Sequence, residues 1–194
     1  MNLKEKIIHE SLKLFSLKGF LSTSINDILE AANTSKGGLY NHFKNKEDLF
    51  LHVIQEAQRV WRERNLDGLD QIERPMEKIQ RFLENYRDRY MKDTAHFPGG
   101  CVFVTLSVEL DDQRPILSRE IKKGFEGLRK WIKGLLDQGK EFGEIRKEIN
   151  TEAAAEMIFA GVLGASVAYG SERSSSSLDR TIQSLIDYLG MLAP

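Results

Sequence analysis

Almost every long segment of this chain repeats its apolar residues at intervals of three and four, a spacing that commits it to amphipathic helices. Ile8, Leu12 and Phe15 share a face of a segment running Leu3 to Lys18. Phe50, Val53, Ile54, Ala57 and Trp61 do the same in a long helix that ends near Asn65. Ile79, Phe82, Leu83, Tyr86 and Tyr90 form a third stripe, and Leu117, Ile121, Phe125, Leu128, Ile132 and Leu135 a fourth. Leu178, Ile182, Leu185, Ile186, Leu189 and Leu192 close the chain with a fifth. Period-two alternation is rare and no internal repeat is evident. The pattern predicts an all-α chain of about nine helices.

The punctuation agrees with the periodicity. Gly19 can adopt the positive-φ backbone that ends a helix, and Thr23 and Ser24 are good N-cap types before a short helix Ile25–Ala32. Asn33-Thr34-Ser35 breaks that helix, and a second short one is expected over Lys36–Phe43. Asn45 caps the long helix, with Glu47 and Asp48 in its first turn complementing the dipole. Pro75 and Pro115 suit first helical positions. A short helix is expected over Cys101–Leu110. Asn150 or Thr151 caps a helix Ala153–Tyr169, and Ser174–Ser177 reads as a polar linker.

Composition removes several functional classes. The 194 residues carry Lys+Arg 28 against Asp+Glu 29, so any nucleic-acid footprint must be local. The single cysteine, Cys101, excludes an intrachain disulfide framework and a cysteine-rich zinc site. His9, His42, His52 and His96 show no metal-ligand spacing, and the glycine pairs at 37–38 and 99–100 lack the Lys-Ser/Thr of a phosphate loop. No serine sits in a G-x-S-x-G elbow. The reading is therefore no catalytic residue, no metal and no cofactor, with a small helical enzyme as the disfavoured alternative class. The charged N-terminus lacks a signal-peptide apolar stretch. The longest uncharged run, Met157 to Gly170, reads as a buried helix and not a membrane span. A cytoplasmic protein without membrane contact is expected.

The informative stretch is Ser24–Phe43, SINDILEAANTSKGGLYNHF. Two short helices joined by a tight turn are the helix-turn-helix arrangement, whose second helix enters the DNA major groove. Ile25, Ile28 and Leu29 on the first, and Leu39, Tyr40 and Phe43 on the second, can pack on Ile8, Leu12 and Phe15 as a three-helix core. The turn needs a strained backbone that Asn33 can supply. From Ala31 to Lys46 there is no acid, but there are Lys36, Lys44 and Lys46. Gly37 and Gly38 leave backbone amides open to phosphate, and Ser35, Tyr40 and His42 add groups that position a duplex backbone.

The run ILEAANTSKGGLYNHFKNKEDLF resembles the TetR (tetracycline-repressor) family signature. Ala31, Ala32, Ser35, Lys36, Gly37, Leu39, Tyr40, His42, Phe43, Lys46, Glu47 and Leu49 fit it, as do Phe15, Lys18-Gly19-Phe20 and Thr23 before it. Leu29, Asn33, Thr34, Gly38 and Asn41 depart from the usual residues; the last two bear on operator sequence. The resemblance implies DNA binding by 1–46, with the motif at about 24–43, and effector binding and dimerisation by 47–194. It implies a DNA-facing set of Ser24, Ser35, Lys36, Gly37, Gly38, Tyr40, Asn41, His42 and Lys46. Lys36 and Asn41 suit base edges, and Tyr40, His42 and Lys46 suit phosphates.

By the same resemblance the middle helices enclose a small-molecule pocket, for which Tyr86, Tyr90, Phe97, Cys101, Thr105, Phe125, Trp131 and Phe159 are the candidate lining. Ordinary core is the competing role for each. Ala153–Tyr169 is apolar almost all round, so both its sides need cover. Gly161, Gly164, Ala165 and Ala168 keep it thin, and with Ile182, Leu185, Ile186 and Leu189 they are the candidate homodimer contact. The expected activity is that of a ligand-responsive repressor that leaves its operator when a hydrophobic or aromatic effector binds. The alternative is an electrophile sensor using the Cys101 thiol, placed at a helix start where the dipole favours thiolate.

Overall fold

The computed structural model describes residues 1–172 and 174–194. It contains nine α-helices and no strand among those residues: α1 Leu3–Lys18, α2 Ile25–Ala32, α3 Lys36–Tyr40, α4 Lys46–Asn65, α5 Pro75–Asn85, α6 Val102–Leu110, α7 Pro115–Glu141, α8 Thr151–Glu172 and α9 Ser175–Met191. The chain divides into two compact units. The first comprises Met1–Trp61 with Asp93–Lys122, and the second Arg62–Lys92 with Lys123–Pro194. The first unit takes in more chain than the 1–46 segment expected to bind DNA.

In the first unit α1 is the central strut, packed by α2, α3 and α6. Its buried face is Ile7, Ser11, Leu12, Phe15 and Ser16. The expected face had Ile8 in place of Ile7, but Ile8 is only half-buried. Two serines explain the difference: they lie inside the packed stripe, where a reading of apolar residues alone passes over them. Phe15, Phe20 and Phe50 meet at ring separations of 5.1–6.2 Å, and Ile28, Leu39 and Phe43 complete the core. Removing such rings from water is the main favourable contribution here.

Helix ends follow the sequence signals closely. Asn2 and Ser24 each form a capping box, with Glu5 and Asp27 respectively. The Asp48 N–H donates to Asn45 Oδ1 at 2.8 Å, and the Ala153 N–H to Asn150 Oδ1 at 3.1 Å. Pro75 and Pro115 open α5 and α7. Three boundaries differ. The short helix α6 begins at Val102, with Cys101 as the capping residue. The α3 helix closes at Tyr40, yet Asn41 N–H to Gly37 O and Phe43 N–H to Leu39 O continue helical hydrogen bonding. The expected 174–177 linker is mostly helix, because serines also suit a first helical turn.

In the second unit α8 packs lengthwise on α9, and α5 also packs on α9. The α5 stripe does not simply continue. After Asn85 the backbone widens into a π-helical turn over Tyr86–Tyr90, closed by Met91 N–H donating to Tyr86 O at 3.0 Å. Asn85 is buried at the join, and its amide donates to the carbonyls of Asn65 and Asp67 at 3.1 and 3.0 Å. Helix α8 outruns the uncharged stretch seen in sequence. It is the one helix among the described residues long and apolar enough to cross a membrane by length and composition, and 39% of that window is buried.

Candidate nucleic-acid interface

The α2–α3 tip is built by caps and two buried side chains. Asn33 sits at φ 48°, ψ 58°, making it the one non-glycine positive-φ residue among those described. This is the left-handed conformation expected of the turn. Thr34 N–H then donates to Leu29 O at 2.9 Å, which turns the chain sharply into α3. Ser35 Oγ caps α3 by accepting the Gly38 N–H at 3.2 Å. Leu39 is fully buried and Phe43 nearly so, and together they pin the underside of the tip.

That pinning decides which groups face outward. Ser24, Ser35, Lys36, Gly37, Asn41 and His42 are exposed, and Tyr40 is 49% exposed. Gly37 is open enough that a Cβ would meet nothing closer than 3.7 Å. Gly38 is different: it is half-buried, and a Cβ there would fall 2.4 Å from Thr34 Oγ1. Its lack of a side chain thus serves the packing of the turn. Six of the nine expected DNA-facing residues, Ser35, Lys36, Gly37, Tyr40, Asn41 and His42, are therefore exposed within the acid-free run at α3, while exposed Ser24 caps α2 beside Asp27.

Lys46 is placed otherwise. It is half-buried, with Nζ donating to Phe20 O at 2.5 Å and lying 4.2 Å from the Phe20 ring centroid. Burial lowers its pKa, against the opposing pull of Glu109 and Glu47. From sequence this ammonium is expected on phosphate; here it is engaged with the carbonyl and ring of Phe20. Lys44 carries the exposed charge nearby, with its N–H donating to Asp48 Oδ2 at 2.9 Å. The sequence signal for it was present, since Lys44 belongs to the same acid-free run.

The Ser24 cap has its own electrostatics. Asp27 accepts from the Ser24 N–H at 2.7 Å and from Lys18 Nζ at 2.8 Å. The Lys18 hydrogen bond, followed by those of Ser24, holds its pKa down at about 2.

The expected effector-pocket residues divide between the units. Phe97, Cys101 and Thr105 belong to the first, and the other five to the second. In the second unit Phe82 meets Trp131 edge-on at 5.2 Å, Tyr86 meets Tyr90 at 5.4 Å and Phe125 meets Phe159 at 5.6 Å. Ser166 Oγ–H donates to Val162 O at 3.0 Å, so Tyr86 is the donor in its hydrogen bond with Ser166 Oγ. Cys101 is buried. A separate cleft of about 440 Å³ lies in the first unit, lined by Met1, Glu5, Ile8, His9, Glu56, Arg59 and His96. It contains none of the expected pocket residues. Its His9 pKa is lowered chiefly by burial.

The expected dimer residues also separate. Ala165, Ile182, Leu185 and Leu189 are buried within the protomer, and Leu185 fills the space over half-buried Gly161 so closely that a Cβ would stand 2.5 Å from it. Gly164 is exposed with open space beside it, while Ala168 and Ile186 are half-buried. The opposite face of α8 carries Met157 at 58% and Val167 at 56% exposure, with Ala153, Ala160 and Gly164 exposed in the same row.

Comparison with known proteins gives matches over both parts of the chain. Residues 7–53 match the family of bacterial regulatory proteins described as the tetR family, and residues 75–185 match the tetracyclin repressor-like C-terminal domain. An uncharacterized HTH-type transcriptional regulator in the lacX 3′ region of Lactococcus lactis is 32% identical over 133 residues, covering 68% of this chain and 66% of that protein, just under two thirds of its length. The HTH-type transcriptional repressor DhaR of a Mycobacterium species is 25% identical over 186 residues, 96% of this chain and 91% of DhaR. A TetR transcriptional regulator from Chloroflexus aurantiacus superposes with a TM-score of 0.90 at 29% identity, covering 98% of this chain and 96% of the other.

Proposed function

The chain belongs to the tetR family of bacterial regulatory proteins, and from that premise we propose that it is a dimeric, cytoplasmic repressor whose α3 tip reads operator DNA. The observation that carries the reading is the surface around α3. Lys36, Tyr40, Asn41 and His42 are exposed there with no acid between Ala31 and Lys46, over a tip pinned by Leu39 and Phe43. Lys36 and Asn41 reach base edges, by the pairings of lysine with guanine and asparagine with adenine. Tyr40, His42, Ser24, Ser35 and the open Gly37 amide hold phosphates. Residues 1–46 supply this contact, and 47–194 supply dimerisation and effector binding.

A single short helix gives limited affinity, and two copies on one duplex solve that problem. The row Ala153, Met157, Ala160, Gly164, Val167 on α8 supplies the contact, because two large exposed apolar side chains on a nearly uncharged helix face need cover. Half-buried Ala168 and Ile186 flank it. The effector is a small hydrophobic or aromatic molecule, for which the ring-rich region of Tyr86, Tyr90, Trp131, Phe125 and Phe159 is the apolar site. Its binding releases the operator. Burial of Cys101 gives the thiol-sensor alternative no specific support.

The test is a mobility shift with the duplex upstream of the chain's own gene, at low ionic strength and without added effector. Retardation at nanomolar to micromolar protein supports the reading, and its absence from every promoter fragment overturns it.

A further inference from the structure

The Phe20–Leu21 step lies just ahead of Ser24, whose cap starts the DNA-binding motif, and it is held from a distant part of the chain. Phe20 N–H and Leu21 N–H both donate to the Glu109 carboxylate of α6, at 2.7 and 2.9 Å, across 89 and 88 residues of sequence. Phe20 C=O accepts from Lys46 Nζ. Two successive amides and the carbonyl between them thus end on charged side chains, the strong class of hydrogen bond. Gly19, at φ 80°, makes the approach possible: a Cβ there would stand 2.5 Å from Glu109 Oε1.

The segment carrying Glu109 is attached at its other end too. Gly99 N–H donates to Ser16 Oγ at 2.9 Å, and Ser16 Oγ–H donates to Gly100 O at 3.0 Å. A Cβ on Gly99 would lie 1.8 Å from Ser16 O, so backbone meets backbone there. Helix α6 is therefore fastened on both sides of the end of α1: before it at Ser16 and beyond it at Phe20–Leu21.

We propose that Glu109 is a positioning residue for DNA binding, its carboxylate fixing the Phe20–Leu21 peptide and through it the Ser24 cap and the pose of α2 and α3. The proposal rests on the DNA-binding reading above. Both hydrogen bonds of the Glu109 carboxylate go to the turn that leads into the motif, and it acts by holding that turn. Any displacement of α6 is then felt at that turn, because a carboxylate with two amides cannot slide without breaking a bond to one of them.

The test compares wild-type protein with Glu109→Gln, Glu109→Asp and Val108→Ala, the last removing an 81% exposed neighbour on the same helix. Hydrogen exchange is read at the amides of Phe20, Leu21 and Asp27, and anisotropy of the labelled upstream duplex is read on the folded fraction over a salt series. Glu109→Gln keeps the length and loses one acceptor; Glu109→Asp keeps the charge and loses the reach. The proposal expects both to speed those amides and to weaken duplex affinity, by roughly tenfold, with the salt slope and the Val108→Ala values as in wild type. Unchanged exchange, unchanged affinity of the folded protein, or a changed salt slope overturns it, the last because a group that meets no phosphate releases no counterion. Wild-type protein that binds no duplex overturns the functional reading instead, and the exchange rates then decide the clamp alone.

Discussion

The α2–α3 tip and the α8–α9 pair solve opposite problems. The tip is short and mostly exposed, and its turns are written within about twenty residues, in the Ser24 and Ser35 caps and in Asn33 in the left-handed region, while Leu39 and Phe43 underneath and the Glu109 clamp on the preceding turn set its pose. The α8–α9 pair is long and apolar, and its shape depends on which side of α8 faces α9. A surface that binds is written locally in the first case, whereas in the second it is whatever the intrachain packing leaves over.

The largest expected effect breaks the tip from below. Leu39→Ala should cost about 2–5 kcal/mol, measured by urea unfolding, with duplex binding lost. If the tip were merely a surface helix with no buried pin, the change would fall within about 0.5 kcal/mol. Within the tip, Lys36 and Lys46 should behave differently despite equal charge. Lys36→Ala should weaken the best duplex by about 1–3 kcal/mol and relax the preference for the base it reads, so that poorer duplexes lose less. Lys46→Ala should leave the salt slope alone and show as lost stability, because its ammonium is spent on Phe20. A loss for Lys36→Ala that is uniform across sequences, with a lowered salt slope, would place Lys36 on phosphate instead.

On the other side of the comparison, two glycines of α8 should separate folding from assembly. Gly161→Val drives a side chain into Leu185 and should destabilise by about 1–3 kcal/mol. Gly164→Glu meets open space within the protomer and should leave the fold intact, while sedimentation shows the dimer weakened. A full-strength Gly164→Glu dimer would remove this row from the interface. The smallest effect is in acid. Asp27 has its pKa depressed to about 2 in the folded state against an ordinary 3.8, so its contribution is complete above pH 3.8 and lost as pH falls toward 2. Asp27→Asn should flatten the stability curve in that window and nowhere else.

This contrast also explains how much was legible in the sequence. Helix order, the caps at Ser24, Asn45 and Asn150, and the Asn33 turn each rest on neighbours a few residues apart, so a linear reading finds them. Ile7 replaced Ile8 in the α1 face because Ser11 and Ser16 are buried, and serine in a core carries no periodic signal. Lys46 looked like its exposed neighbours until Phe20, 26 residues away, was found beneath it. Leu185 and Gly161 are expected from sequence as homodimer contacts and meet each other within the protomer; small and apolar composition suits a close helix contact but does not say whether the partner is α9 or a second protomer. Glu109 gave no signal at all, since its meaning lies in two amides nearly ninety residues distant.

The most direct test is a titration of this protein into the labelled upstream duplex, followed by anisotropy across a salt series. The account predicts saturation at an even number of chains per duplex. It also predicts affinity that falls linearly on a log–log salt plot, with a slope that Lys46→Ala leaves unchanged and a preference among duplex sequences that Lys36→Ala relaxes. Binding with no salt dependence, or no binding at the lowest salt, would contradict it.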